Sequence, residues 1–292
     1  MSHKDQFQDY CKQVETGIRQ YLPTAQTRPT QLHSAMLYSL QAGGKRLRPI
    51  LVLASQDMFS PNVDALPAAI AVECLHSYTL IHDDLPCMDN SELRRGKPSC
   101  HMQFDEATAV LAGDALLTHA FQLLATEYAS DPSIATQLTA ILSKAAGSQY
   151  LIGGQMEDVA NEGCHPEPET LDYIHRNKTA SLLTASLHMG AVLGGANEDQ
   201  IEKILKIGEC IGLTFQIVDD LLDRNGKEIE IGKPVGADRE NEKTTYLSLH
   251  SAQNAQTLIE SLTKDAGKVS EALAGENSFL EWLANRLATR SH

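Results

Sequence analysis

The sequence predicts an all-α protein built as a large helical bundle, and three observations carry that expectation. Apolar residues recur at helical spacing through most of the 292 residues. Alternating strand patterns bounded by hairpin dipeptides are missing. Glycine and proline mostly fall between the periodic segments rather than inside them. In chain order, segment 31–42 sets Leu32, Met36, Leu37 and Leu40 on one amphipathic stripe. Segment 65–82 is apolar nearly all round, with Pro67 near its start, where a missing N–H is tolerated, and reads as a central buried helix. Segments 105–129, 133–152, 170–194, 198–223 and 251–273 follow the same period. The polar stretch 224–245 is the long interruption, of a length that often forms a functional lid.

Composition bounds the rest. Hydrophobic residues make up 42% and charged residues 21%, enough to fill a large core. No Ser/Gly linker or low-complexity run divides the chain, so one domain over 1–292 is expected. The polar N-terminus shows no signal peptide, and no uninterrupted apolar run is long enough for a spanning helix, which points to a cytoplasmic protein. The six cysteines are scattered without a CxxC pair and read as reduced thiols, not a zinc site or a disulfide frame. A formal net charge of −14 argues against nucleic acid as a partner. An enzyme of anionic substrates with this charge must concentrate cations locally or recruit metal.

Two acidic clusters suit metal. In the second, Asp219 and Asp223 are i and i+4 on one helical face with Asp220 beside them. Three such carboxylates repel one another unless cations screen them, and hard oxygen ligands suit Mg²⁺. In the first, Asp83 and Asp84 end the apolar helix and Asp89 follows beyond Pro86. Six residues place Asp83 and Asp89 on different faces of an unbroken helix, so a kink near Pro86 is required to bring them together. Carboxylates at a helix C-terminus also oppose its dipole, an unfavourable placement that hints at function. A solvated acidic surface is the bland alternative for both clusters.

Basic residues accompany them. Gly43-Gly44-Lys45-Arg46-Leu47-Arg48-Pro49 permits close backbone approach and offers a point charge and a guanidinium fork for phosphate oxygens. Arg94-Arg95-Gly96-Lys97 lies just past Asp89, and Lys178, Lys233 and Lys243 follow. His76 stands two helical turns before Asp83 and faces the same way. His82-Asp83 alone could suggest a metal phosphohydrolase, but the further histidine ligands that class needs are not found.

Taken together, GGKRLRP, LIHDDLPCMDNSELRRGKP, GGQMED, HRNKTASLL, FQIVDDLLD and GKPVGADRENEKTTY resemble, in order and spacing, the trans-isoprenyl diphosphate synthases over about residues 30–250. The resemblance implies an all-helical fold with the active site in a central cavity, a homodimer, and Mg²⁺ (Mn²⁺ as a substitute) bound by the two Asp motifs. By that resemblance Asp83, Asp84, Asp89, Asp219, Asp220 and Asp223 hold metal. Gly44, Lys45, Arg48, His76 and Arg95 match positions that hold isopentenyl diphosphate. Arg94, Lys178, Thr179, Gln216, Lys233 and Lys243 match those around the allylic diphosphate, and Gln155 and Asp158 match a block that supports them. Val218 stands where many relatives have Gln, and Asn90-Ser91-Glu92 replaces a more acidic run.

The implied reaction condenses an allylic diphosphate with isopentenyl diphosphate and releases pyrophosphate. Asp83, Asp84, Asp89, Arg94, Lys178 and Asp219 are the expected catalytic residues, and no Ser/His/Asp or Cys/His nucleophilic set is needed. Tyr78, roughly 7–8 Å before Asp83 along the helix axis, and Thr79 beside it are the expected limits on chain length. They favour a C15 product over C20. A terpene cyclase and a non-catalytic synthase subunit are the competing readings. The first does not need the isopentenyl residues, and the second would be expected to lose Asp ligands that are all present here.

Overall fold

A computed structural model describes residues 2–59, 63–164, 167–225, 246–249 and 251–290. Its first helix was not anticipated. α1 (His3–Tyr21) is amphipathic, burying Tyr10, Val14, Gly17 and Ile18 along one stripe, and a capping box between Ser2 and Asp5 satisfies its first turn. α2 (Thr30–Leu40), α3 (Leu47–Asp57) and α4 (Leu66–Asp83) follow. α4 is buried nearly all round, as the sequence predicts, with Pro67 in its first turn. A two-stranded ribbon, β1 (Leu93–Arg94) and β2 (Lys97–Pro98), departs from the expected absence of hairpins. Arg95 and Gly96 form its two-residue loop with φ of 55° and 74°, the twist that tight hairpins favour. α5 (Cys100–Gln103), α6 (Glu106–Glu127) and α7 (Pro132–Ala146) come next.

The expected helix over 133–152 therefore stops at Ala146, and the chain turns before α8 (Leu151–Ala160). The expected helix over 170–194 is three pieces: α9 (Pro168–Ile174), a π turn (His175–Ala180) and α10 (Ser181–Leu193). α11 (Glu198–Asn225), α12 (Tyr246–Leu249), α13 (Ala252–Ala274) and α14 (Phe279–Ala288) complete the described elements. The fold is all-α, with the ribbon the only sheet among the described residues.

Contacts group the chain into two compact units, residues 1–53 with 64–139 and residues 54–63 with 140–292. In the first, α4 is the central element, packed by α6, α2 and α1. The α1–α4 approach is close enough that a Cβ at Gly17 would stand 2.9 Å from Ile70. α6 has the length and apolarity to cross a bilayer, as core helices also can. Here it packs on α4 and carries Glu106, Asp114 and Glu127. In the second unit, α11 is central, with α10 on one side and α13 on the other, and α14 closes against α13. All six cysteines are free thiols, in agreement with the sequence reading.

Candidate active site

The first unit gathers the first Asp cluster and most of the basic residues. α4 ends at Asp83, and the chain then doubles back: the Asp89 N–H donates to the Asp83 carbonyl at 2.8 Å and the Asn90 N–H to the Leu85 carbonyl at 3.0 Å. This is the break near Pro86 that the spacing requires. Asn90 takes φ of 48°, a left-handed conformation that asparagine tolerates.

Asp84 is buried, and Arg94 donates to it from Nε at 3.0 and 3.1 Å and also from Nη2. Burial pushes the Asp84 carboxyl above its ordinary pKa, although its bonds from Arg94 pull the other way. The hairpin loop next to Arg94 directs Arg95 onto the glycine pair, where its guanidinium donates to the Gly43 carbonyl. Gly44 has φ of +121°, and a Cβ there would lie 2.5 Å from the Arg95 guanidinium carbon, so only glycine fits. Arg48 Nη1 and His76 Nε2 are 3.1 Å apart. Burial first, then Arg48, Arg95, Arg94 and Arg46, holds the His76 imidazole well below its ordinary pKa, so it is neutral and accepts from Arg48. Lys45 is exposed.

One arginine of this group differs. Arg46 uses all three guanidinium nitrogens within the fold, on Glu15 at 2.8 Å, Glu73 at 2.7 Å and the Leu40 carbonyl at 2.6 Å. Tyr78 is buried one helical turn before His82, whose ring meets it edge-on at 5.6 Å. Its phenol is pushed up to about 12 by burial and by Asp83. Thr79 donates back to the His76 carbonyl at 2.8 Å. His82 faces α6, 3.1 Å from the Val110 carbonyl, and gathers no histidine set around it.

The second unit assembles the remaining group on α8, the π turn and α11. A π turn carries an extra residue per turn and resets the helical phase, so Lys178 and Thr179 leave the register of α9. α8 lies against it so closely that a Cβ at Gly154 would be 2.3 Å from the Lys178 nitrogen, and α11 does the same through Gly212. Lys178 Nζ then reaches Asp158 at 2.5 Å. Thr179 donates to Gln216 Oε1 at 2.7 Å, and Gln216 Nε2 donates to Asp220 at 2.9 Å. Asp220 also accepts the Tyr246 N–H at 2.6 Å and lies 3.5 Å from His175 Nε2. Burial drives His175 down to about 4, so it is neutral.

Asp219 is more open than Asp220 and bonds Arg290 at 2.6 Å. The backbone of Asp223 continues α11, as the i, i+4 reading needs, but its side chain lies outside the described residues, as do Lys233, Lys243 and the whole of 226–245. Val218 turns away from the acidic residues and packs with Ile217, Ala255 and Ile259 in the α11–α13 core. Sequence reasoning did not single out Arg290 or His175. His175 opens the HRNKTAS block, which was the available signal.

The polyprenyl synthetase family model matches residues 29–275. The chain belongs to the polyprenyl synthetase family. Among members of this family, it is 42% identical to a farnesyl diphosphate synthase of Geobacillus stearothermophilus over 99% of this chain and 98% of that one. It is 44% identical to a chloroplastic geranylgeranyl pyrophosphate synthase of Catharanthus roseus over 90% of this chain and 75% of that one. Its fold superposes with a TM-score of 0.85 on a geranyltransferase from Helicobacter pylori complexed with magnesium and isoprenyl diphosphate, at 32% identity and 98% and 96% coverage of the two chains.

The side chains fit a divalent metal of a particular kind. Among the described residues, no three carboxylate, imidazole or thiol groups converge to hold a cation by themselves. Mg²⁺ does not need such a cage, because it takes one or two carboxylates and completes its shell with water and phosphate oxygens. An arginine already sits on Asp84 and another on Asp219, so each cluster draws positive charge in this polyprenyl synthetase chain.

Proposed function

We infer that this chain is a short-chain prenyltransferase that condenses dimethylallyl and geranyl diphosphates with isopentenyl diphosphate, with farnesyl diphosphate as its main product. The observation that carries the reading is the grouping of Gly44, Arg48, His76 and Arg95, which form a cationic cradle in a protein of net charge −14. A terpene cyclase has no use for it. Arg95 stands at a positive φ in the hairpin loop, a conformation that costs a non-glycine residue energy and tends to be kept at functional sites.

In this reading the Gly43–Gly44 backbone lets diphosphate approach Arg95 closely, while neutral His76 accepts from Arg48 and fixes the aim of its fork. Asp83, Asp89 and Asp219 are the residues we assign to hold Mg²⁺, which when bound supplies charge stabilisation for the departing diphosphate. Lys178, held by Asp158, and Arg94, held by Asp84, add fixed positive charge, and such preorganised charge is where most of the rate gain arises. The Thr179–Gln216–Asp220 chain orients its oxygen dipoles by hydrogen bonds alone. Released pyrophosphate is the proton acceptor, so no Ser/His/Asp or Cys/His nucleophilic set is needed. We further assign one polyprenyl synthase domain and a cytoplasmic homodimer. Met102 on α5 and Val110 and Leu111 on α6 are exposed large hydrophobic side chains of the kind a subunit contact would cover.

Tyr78 is the floor of the tail channel in this account. Tyr78→Ala is expected to shift product from C15 toward C20 and beyond, read by chromatography of dephosphorylated products. An unchanged distribution places the floor elsewhere. The reading itself is tested by supplying geranyl diphosphate with and without isopentenyl diphosphate. Product that requires both substrates supports it, and cyclised hydrocarbon from the allylic substrate alone overturns it.

A further inference from the structure

Arg46 and Arg290 both have buried side chains and opposite characters. Arg46 satisfies every guanidinium nitrogen and is part of the fold. Arg290, two residues past α14, does not. Its Nη2 donates to Asp219 Oδ1 at 2.6 Å and to the Phe215 carbonyl at 2.8 Å, and its guanidinium lies 4.1 Å above the Phe215 ring centroid. The side chain is only 7% exposed, against 44% for Asp219. Yet Nε and Nη1 are buried with no hydrogen-bond partner among the described residues. Unpaired buried donors are destabilising, so this arginine is docked on the carboxylate without being completed by it. Burial lowers its proton affinity further than Asp219 restores it, although a guanidinium stays charged at any physiological pH.

We propose that Arg290 is the resident counter-cation of Asp219 in the substrate-free protein, and that a divalent metal must displace it to bind there. The proposal rests on the reading of Asp219 as a metal ligand. A second cation at Asp219 would stand within a few ångströms of the guanidinium, where like charges repel strongly in a partly buried site. The incomplete hydrogen bonding makes the docked state the easier one to give up. By linkage the effect is reciprocal: Arg290 weakens metal binding, and metal binding loosens the C-terminal arm. Only the Arg290 side chain has to move. α14 itself stays anchored through Phe279, Leu280, Leu283 and Leu287.

The test is Mn²⁺ binding to the full chain, measured by electron paramagnetic resonance with inorganic pyrophosphate present. It compares the unmodified protein with Arg290→Ala, Arg290→Gln and Asp219→Ala. Both Arg290 variants are expected to bind Mn²⁺ about tenfold more tightly, equivalent to ~1.4 kcal/mol. Arg290→Gln keeps hydrogen-bonding capacity without charge, so it reports on the charge even if Arg290→Ala perturbs folding. Affinity that is unchanged or weaker in the Arg290 variants, with a clear loss in Asp219→Ala, overturns the inference alone. Unchanged affinity in Asp219→Ala overturns the metal reading of that residue, and the inference with it.

Discussion

Asp83→Ala is expected to lower turnover by about 10³-fold, the scale of losing one preorganised electrostatic contact to a reacting group, with a smaller loss of fold stability than Asp84→Ala. The second half of that expectation separates function from structure. Asp83 is the last residue of α4, where its charge opposes the helix dipole. Asp84, one residue on, is buried and held by Arg94, so its removal would leave that partly buried guanidinium without its partner and confound the result. The turn that returns the chain to Asp89 uses the Asp83 backbone carbonyl, which alanine retains. Turnover with both substrates and Mg²⁺, beside thermal melts of both variants, checks both halves. Near-normal turnover in Asp83→Ala contradicts the assignment, and EDTA treatment of the unmodified protein is expected to give a comparable loss.

Arg46→Ala is expected to cost about 3–5 kcal/mol of stability, the range for breaking a buried ion pair on one side only. Arg46 lies between Lys45 and Arg48, the two cations of that run which the sequence reading assigns to phosphate. Its own conformation, at φ of 50°, turns it inward, where Glu73 is almost wholly buried and depends on it. Removing the guanidinium leaves that carboxylate without its cation and the Leu40 carbonyl without its donor. Arg46→Lys is expected to recover only part of the loss, because an ammonium cannot span Glu15, Glu73 and a carbonyl together. Urea unfolding of the three proteins measures this, and an Arg46→Ala midpoint equal to that of the unmodified protein contradicts it.

The contrast between Arg46 and Arg48 shows where reading from sequence stops. Periodicity identified α2, α4, α6, α11 and α13 because each buries a face, or all faces, over several turns. The i, i+4 relation of Asp219 and Asp223 needed only that the helix continue, and it does, to Asn225. The break at Pro86 followed from geometry and the chemistry of proline. Other features left little trace. The π turn at His175–Ala180 packs tightly against Gly154 and Gly212, and no local pattern in HRNKTA marks it. The Arg95–Gly96 hairpin was hidden because an arginine occupies a positive-φ position that sequence rules reserve for Gly, Asn or Asp. α1 was missed because its short apolar stripe is diluted by charge. Asp219 and Asp220 were both expected to hold metal, yet Asp220 is held by Gln216 and the Tyr246 backbone, whereas Asp219 is paired with a C-terminal arginine. Pairings across long sequence separations set these roles, and spacing within a motif does not record them.

Incorporation of labelled isopentenyl diphosphate into product is the most direct measurement of the central claim. Purified protein is supplied with geranyl diphosphate and Mg²⁺, and the acid-labile product is sized after dephosphorylation. The account predicts label in a C15 alcohol, one pyrophosphate released per label incorporated, and no incorporation when the metal is chelated. Absence of labelled product with metal present, or equal incorporation in EDTA, contradicts it.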